Sequence, residues 1–245
     1  MVNKQLYDDL AALGIHGGDV VLMHSSLSSL GYVEGGAETV VDTLISLLDG
    51  GTLLIPALSF ATVRPENPYF SLLGTPSCVG AISEYFRKRP GVMRSMHPTH
   101  SVCGFGDGAE QLLSGHVRSE TPVGPDSPMA ILPKVNGKIL MLGCGLRPNT
   151  SMHGVEELTV PPYLYRPEPV EYHLTDANGI ETVKKYRAHY FAGVIQRYDR
   201  LAEIMNIPRG KVLNADAYLI DTPEMWEKAD KKLKENEMFF VDRKE

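Results

Sequence analysis

Lys138-Ile139-Leu140-Met141-Leu142-Gly143 is a run of four apolar residues without polar alternation, closed by a glycine. A short continuous run of this kind reads as a strand buried on both faces, the type found in parallel sheets covered by helices. Two upstream runs have the same character, Asp19-Val20-Val21-Leu22-Met23 and Thr52-Leu53-Leu54-Ile55-Pro56. Between them Val40, Val41, Leu44, Ile45 and Leu48 repeat at helical spacing, opened by Gly35-Gly36 and stopped by Gly50-Gly51. Leu6, Leu10 and Leu13 form an earlier helical stripe that ends at Gly17-Gly18. Further helices are predicted near residues 79–89 and 109–113, a short one after Asp126-Ser127-Pro128, and a strand over 101–105. Strands separated by helices predict an α/β fold with a largely parallel sheet covered on both faces.

The last third changes character. Segments 171–175 and 181–186 flank Asp176-Ala177-Asn178-Gly179, a hairpin-turn sequence. A helix is expected over 194–205, short strands over 211–220, and a final helix at Thr222-Pro223-Glu224, where an N-cap precedes a proline suited to the first turn. No linker composition or internal repeat divides the chain, so one domain over 1–245 with an α+β C-terminal portion is expected.

Composition excludes several classes. Hydrophobic residues make up 43% and charged residues 22% of 245, which argues against disorder and fibrous repeats. No run of about 18 apolar residues is present, so no membrane span is expected. The first residues lack the apolar core of a leader, and the cytoplasm is the expected compartment. A formal net charge of −6 without a basic tract makes nucleic acid a poor partner. Cys78, Cys103 and Cys144 show no CxxC spacing and read as small buried hydrophobes rather than a disulfide framework or zinc site.

Three segments carry candidate chemistry. His24-Ser25-Ser26-Leu27-Ser28-Ser29-Leu30-Gly31 follows a buried strand, where open α/β sheets bind ligands; its alternative is a serine-rich turn capping the next helix. His97-Pro98-Thr99-His100 places two imidazoles around a proline, either as a metal pair with Glu156 or Glu157, or as a tight turn whose rings satisfy backbone groups. Asn149-Thr150-Ser151-Met152-His153-Gly154-Val155-Glu156-Glu157 follows the strongest strand. Thr150 or Ser151 can cap a helix there, and His153 and Glu156, three apart, share its face. A carboxylate beside an imidazole orients it and favours its protonated form, as a general base requires; a surface ion pair is the alternative. His189 can join such a site from the end of the second hairpin strand. His16, His116 and His173 sit in turn or exposed-strand contexts and receive no role. Tyr163, Tyr165 and Tyr172, among prolines, read as a packed loop or as a substrate-lining wall. No GxxxxGK[ST] or GxGxxG is present, and Gly143-Cys144-Gly145 lacks the third glycine of a dinucleotide fingerprint.

These segments, taken in order, resemble the aminoglycoside 3-N-acetyltransferase family. The landmarks are 21–31, Gly35-Gly36, 51–56, Arg94-Ser95-Met96-His97-Pro98, Ser127-Pro128 and Asn149-Thr150-Ser151-Met152-His153. The resemblance implies a three-layer α/β/α fold, acetyl-coenzyme A as donor and no required metal. It places coenzyme A against His24, Ser25, Ser26, Leu27 and Ser29, with Asp126 and Ser127 on the donor side. It makes His153 the general base, with Glu156 beside it, for acetylation of the 3-amino group of an aminoglycoside. His97, His100, Glu157 and His189 are expected on the acceptor side, and a homodimer is the candidate assembly.

The chain departs from the family pattern where acidic residues are common, carrying Leu146-Arg147-Pro148 and Arg187-Ala188-His189. Fewer acidic groups would weaken the hold on a polycation, so another amine or an amino sugar is an alternative acceptor. A metal-dependent hydrolase built on His97, His100, His153 and Glu157 is the competing class.

Overall fold

The computed structural model describes residues 1–244. The chain runs through α1 (Lys4–Leu13), β1 (Val20–Ser25), α2 (Gly36–Leu48), β2 (Thr52–Pro56), β3 (Tyr69–Ser71) and α3 (Ala81–Lys88). It continues through β4 (Met93–Arg94), β5 (Val102–Gly106), α4 (Ala109–Ser114), α5 (Pro128–Ile131), β6 (Lys138–Leu142) and α6 (Met152–Thr159). The last third holds β7 (Val170–Thr175), β8 (Glu181–Tyr186), β9 (Val194–Gln196), α7 (Leu201–Ile204), β10 (Arg209–Val212), β11 (Ala215–Asp221), α8 (Thr222–Glu235) and β12 (Val241–Arg243).

Seven strands form the main sheet in the order β10-β11-β6-β1-β2-β5-β4. Its centre is parallel, with β1 between β2 and β6, and all three are the apolar runs singled out in the sequence. The flanks are antiparallel: β5 returns against β2, and β11 against β6. Alternate residues of each central strand feed opposite layers, as a period of two requires. Leu140 and Leu142 of β6 join Val21, Leu44 and Phe86 on the side of α1–α3, whereas Ile139 and Met141 join Met129, Val155 and Met225 on the side of α5, α6 and α8. Fully burying such a side chain contributes about 1.5–3 kcal/mol. These two apolar layers bind the helices to both faces. Among the described residues no helix is long and apolar enough to cross a membrane.

β7 and β8 form the expected hairpin, with Asp176 Oδ1 accepting the N–H groups of Asn178 and Ile180 across the turn. β3 adds to β7, and Phe70, Tyr172 and Tyr186 pack in a small satellite core. The helix expected over 194–205 is instead β9, a single 3₁₀ turn at Tyr198–Arg200 and the four residues of α7. β9 pairs with β12, and Asp242 of β12 binds both Arg197 and Arg200. The last helix is capped by Asp221, which accepts from Glu224 N–H, while the Thr222 hydroxyl donates to Gly137 C=O.

Candidate active site

The site is built where β6 ends. Gly143 turns the chain with φ 73°, and a Cβ there would lie 2.8 Å from Ser29 Cβ, so the approach to the serine-rich turn depends on glycine. The chain then reaches α6 through buried Asn149, whose Oδ1 accepts Ser151 N–H at 3.2 Å. Ser151 occupies the cap position without a side-chain cap bond, so Asn149 does the local work expected of Thr150 or Ser151.

His153 lies in the first turn of α6, its Nδ1 3.2 Å from Glu156 Oε2. Glu156 is completely buried, and a buried carboxylate requires partners. Tyr163 donates to Oε1 at 3.0 Å and Tyr198 to Oε2 at 2.7 Å. Tyr198 Oη also lies 2.8 Å from His153 Nδ1. A hydroxyl has one proton, and the bond to a carboxylate is the stronger use of it. His153 Nδ1–H is therefore the donor in this triangle, which leaves the lone pair on Nε2. Burial, and then the carboxylate, pushes the Tyr198 phenol well above its ordinary range, so it stays a proton donor.

His100 and His189 stand beside His153, with ring centroids 6.0 and 4.9 Å from it. Burial holds both imidazoles well below the usual histidine range, with neighbouring histidines adding to the effect. His189 Nε2–H donates to Glu157 Oε1 at 2.8 Å, and Glu157 also accepts from Val123 N–H and the Thr121 hydroxyl. Burial raises the Glu157 carboxyl. Glu157 thus braces His189 and lies outside the cavity lining. His97 belongs to a tight turn: its Nδ1 accepts the N–H groups of Thr99 and His100 at 3.2 and 3.0 Å. His97 lies behind His100 and does not reach the cavity. It stacks on His116, which is fully buried rather than exposed, between the Ser95 hydroxyl and Pro122 C=O.

His100, His153 and His189 border a cavity of about 490 Å³ at the ends of β1, β2 and β6. His24, Ser25, His100, His153 and His189 line it together with Tyr198. Burial drops the His24 pKa to about 3, with His153 contributing. A second groove of about 580 Å³ runs past Ser25, Ser26, Leu27 and Ser28 to the start of α3, and Ser25 belongs to both spaces. Gly80 caps α3 without a side-chain bond, so the helix presents free N–H groups to this groove. Ser29 faces inward and donates to Ser26 Oγ at 2.9 Å. Asp126 and Ser127 line neither space: Asp126 pairs with Arg118, and Ser127 caps α5 at Ala130 N–H.

No local pattern marks Tyr198, whose partners lie 42 and 45 residues away. Tyr163 was within the tyrosine cluster, but its bond to Glu156 is a tertiary fact. Phe191 carries no local signal either. It holds a left-handed backbone, φ 50°, and sets its ring 4.8 Å from that of His153. Such a conformation costs on the order of 1–2 kcal/mol outside glycine. Cys144 lines the cavity, but burial pushes its thiol up to about 11, which disfavours a thiolate nucleophile.

The family model described as aminoglycoside 3-N-acetyltransferase matches residues 22–234. Aminoglycoside N(3)-acetyltransferase VII of Streptomyces paromomycinus is 35% identical over 180 residues, which take in 66% of this chain and 62% of that relative. Against such curated relatives the chain spans less than two thirds of their length. Among solved structures, the aminoglycoside acetyltransferase AAC(3)-Xa superposes with TM-score 0.82 at 28% identity, over 95% of this chain and 92% of that one. A binary complex of AAC-IIIb with CoASH superposes with TM-score 0.79 at 25% identity, over 96% of this chain and 97% of that one.

Proposed function

The chain belongs to the aminoglycoside 3-N-acetyltransferase family, and from that premise we propose that it transfers an acetyl group from acetyl-coenzyme A to an amine, with His153 as general base. The observation that carries the reading is the orientation of His153. Its Nδ1 is tied to Glu156 and Tyr198, and its ring borders a cavity that shares Ser25 with the groove along the serine-rich turn. The groove suits the donor. It offers the hydroxyls of Ser25, Ser26 and Ser28, the Leu27 side chain and the uncapped start of α3, a combination that accepts an amide chain and anionic phosphate. AAC-IIIb, whose structure holds CoASH, has the same fold.

In this mechanism an amine in the histidine-lined cavity loses a proton to His153 Nε2 as its nitrogen attacks the thioester carbonyl. The C–N bond forms, the C–S bond breaks, and the leaving thiolate is protonated by the imidazolium or solvent. Glu156 stabilises the imidazolium, and the two tyrosines hold that carboxylate in place. General-base assistance contributes on the order of 10²–10⁴ in rate. His153→Ala is therefore expected to lower kcat at least about a hundredfold while leaving coenzyme A binding intact by calorimetry. An unchanged kcat removes His153 from this role.

The curated relatives name an aminoglycoside as acceptor and its 3-amino group as the position, and this is the first acceptor to test. One observation favours a less charged amine or amino sugar. Among the described residues no Asp or Glu lines the histidine-lined cavity, and Arg147 does. A thiol-release screen across aminoglycosides, amino sugars and simple amines distinguishes the two.

A further inference from the structure

We propose that His100, His153 and His189 form a site for one divalent transition-metal ion of the zinc type, and that its occupancy blocks acetyl transfer by taking the base nitrogen of His153. The inhibitory half rests on the function proposed above; the site itself does not. One ring nitrogen from each residue lies within 4.8 Å of the other two. Tetrahedral zinc with Zn–N near 2.0–2.1 Å sets its nitrogens about 3.4 Å apart, so each pair has to close by no more than about 1.4 Å.

The far nitrogen of every ring already has an oxygen partner. Thr99 Oγ1 holds His100 Nδ1 at 2.8 Å, Tyr198 and Glu156 hold His153 Nδ1, and Glu157 Oε1 holds His189 Nε2 at 2.8 Å. Such partners fix the tautomer and raise the basicity of the nitrogen left to bind metal. His100 Nε2, His153 Nε2 and His189 Nδ1 remain. A second observation points the same way. The His189 side chain is only 5% exposed, and its Nδ1 is buried without any hydrogen-bond partner. Leaving such a group unmatched is costly, and a metal ion would satisfy it. Three imidazoles suit zinc, copper or nickel rather than magnesium or calcium. All three line the 490 Å³ cavity, so a fourth position is open to water.

The test uses zinc chloride in calorimetric titration and cobalt chloride followed by visible absorption. The unmodified protein is expected to bind one equivalent of zinc and to show the intense bands of tetrahedral cobalt. His189→Gln and His100→Gln are each expected to weaken zinc binding at least about tenfold. A variant lacking His16 and His173, both outside the cluster, should bind as the parent does. Thermal melting checks that each variant folds, and zinc should raise Tm in the parent but not in the two cluster variants. Acetylated product is measured by mass, because zinc binds free thiols, and a chelator should restore turnover lost on adding zinc. No stoichiometric binding, or binding undiminished in both cluster variants, overturns the site. Zinc bound there without loss of turnover overturns the inhibitory half. A metal-free protein that acetylates no amine counts against the proposed function alone, since the titration judges the site.

Discussion

Replacing Glu156 by Gln tests the division of labour in the His153 triangle. Glu156 is fully buried, and its Oε2 lies 3.2 Å from His153 Nδ1. When His153 takes the proton, unit charges at 3.2 Å attract by about 5 kcal/mol at an effective dielectric near 20. A carboxamide keeps an oxygen and a dipole at that place, so about 3 kcal/mol of this is lost, which is on the order of 10² in kcat. Stability should not fall in parallel. The substitution removes a buried charge, and Tyr163 and Tyr198 can reorient their hydroxyls toward the amide. Glu156→Gln is therefore expected to show a kcat lower by about two orders of magnitude, an unchanged KM for acetyl-coenzyme A and an unchanged or higher Tm. Product formation by mass under saturating donor, together with thermal melting, reads all three. A kcat within about threefold of the parent would refute the electrostatic role assigned to this carboxylate.

Two further substitutions probe the scaffold. Burial drops the His116 pKa to about 4, against 6.5 for an unfolded histidine, so the unfolded chain binds the extra proton between these values and stability falls as pH drops through that window. Between pH 7.5 and 5 this residue should account for about 2 kcal/mol of lost stability, and His116→Gln should remove that component; parallel urea-unfolding trends in the two proteins would contradict it. Gly143→Ala puts a Cβ 2.8 Å from Ser29 Cβ and 3.2 Å from Ala215 Cβ at φ 73°. It is expected to destabilise by about 2–4 kcal/mol and to raise KM for acetyl-coenzyme A by displacing the serine-rich turn, with urea midpoints and steady-state kinetics as the measurements.

The parallel centre was legible because β1, β2 and β6 are buried on both faces and show it as unbroken apolar runs. Direction was not: a buried run looks the same either way along the chain, and β5 returns antiparallel to β2. Residues 194–205 misled because Val194, Tyr198, Leu201 and Met205 are all buried and repeat at helical intervals. They reach the interior from a strand, a 3₁₀ turn and a single helical turn. The His153–Glu156 contact could be anticipated because both residues ride on one helix. His189, Tyr163 and Tyr198 arrive from loops and turns whose positions depend on the finished fold, and no local spacing encodes them. The same holds for Asp126 and Ser127, which family order placed on the donor side and which the packing of α5 holds away from both spaces.

The lacing of β12 onto β9 bears on how the molecule is made. Tyr198 lies two residues after β9, the Tyr163 hydroxyl sits 3.1 Å from the Glu237 carbonyl, and Asp242 ties down Arg197 and Arg200. The tyrosine bracket around Glu156 is therefore secured from residues 237–242, a segment far along the chain from α6. The sheet and the serine-rich turn can assemble without that segment, whereas the bracket cannot close before it docks.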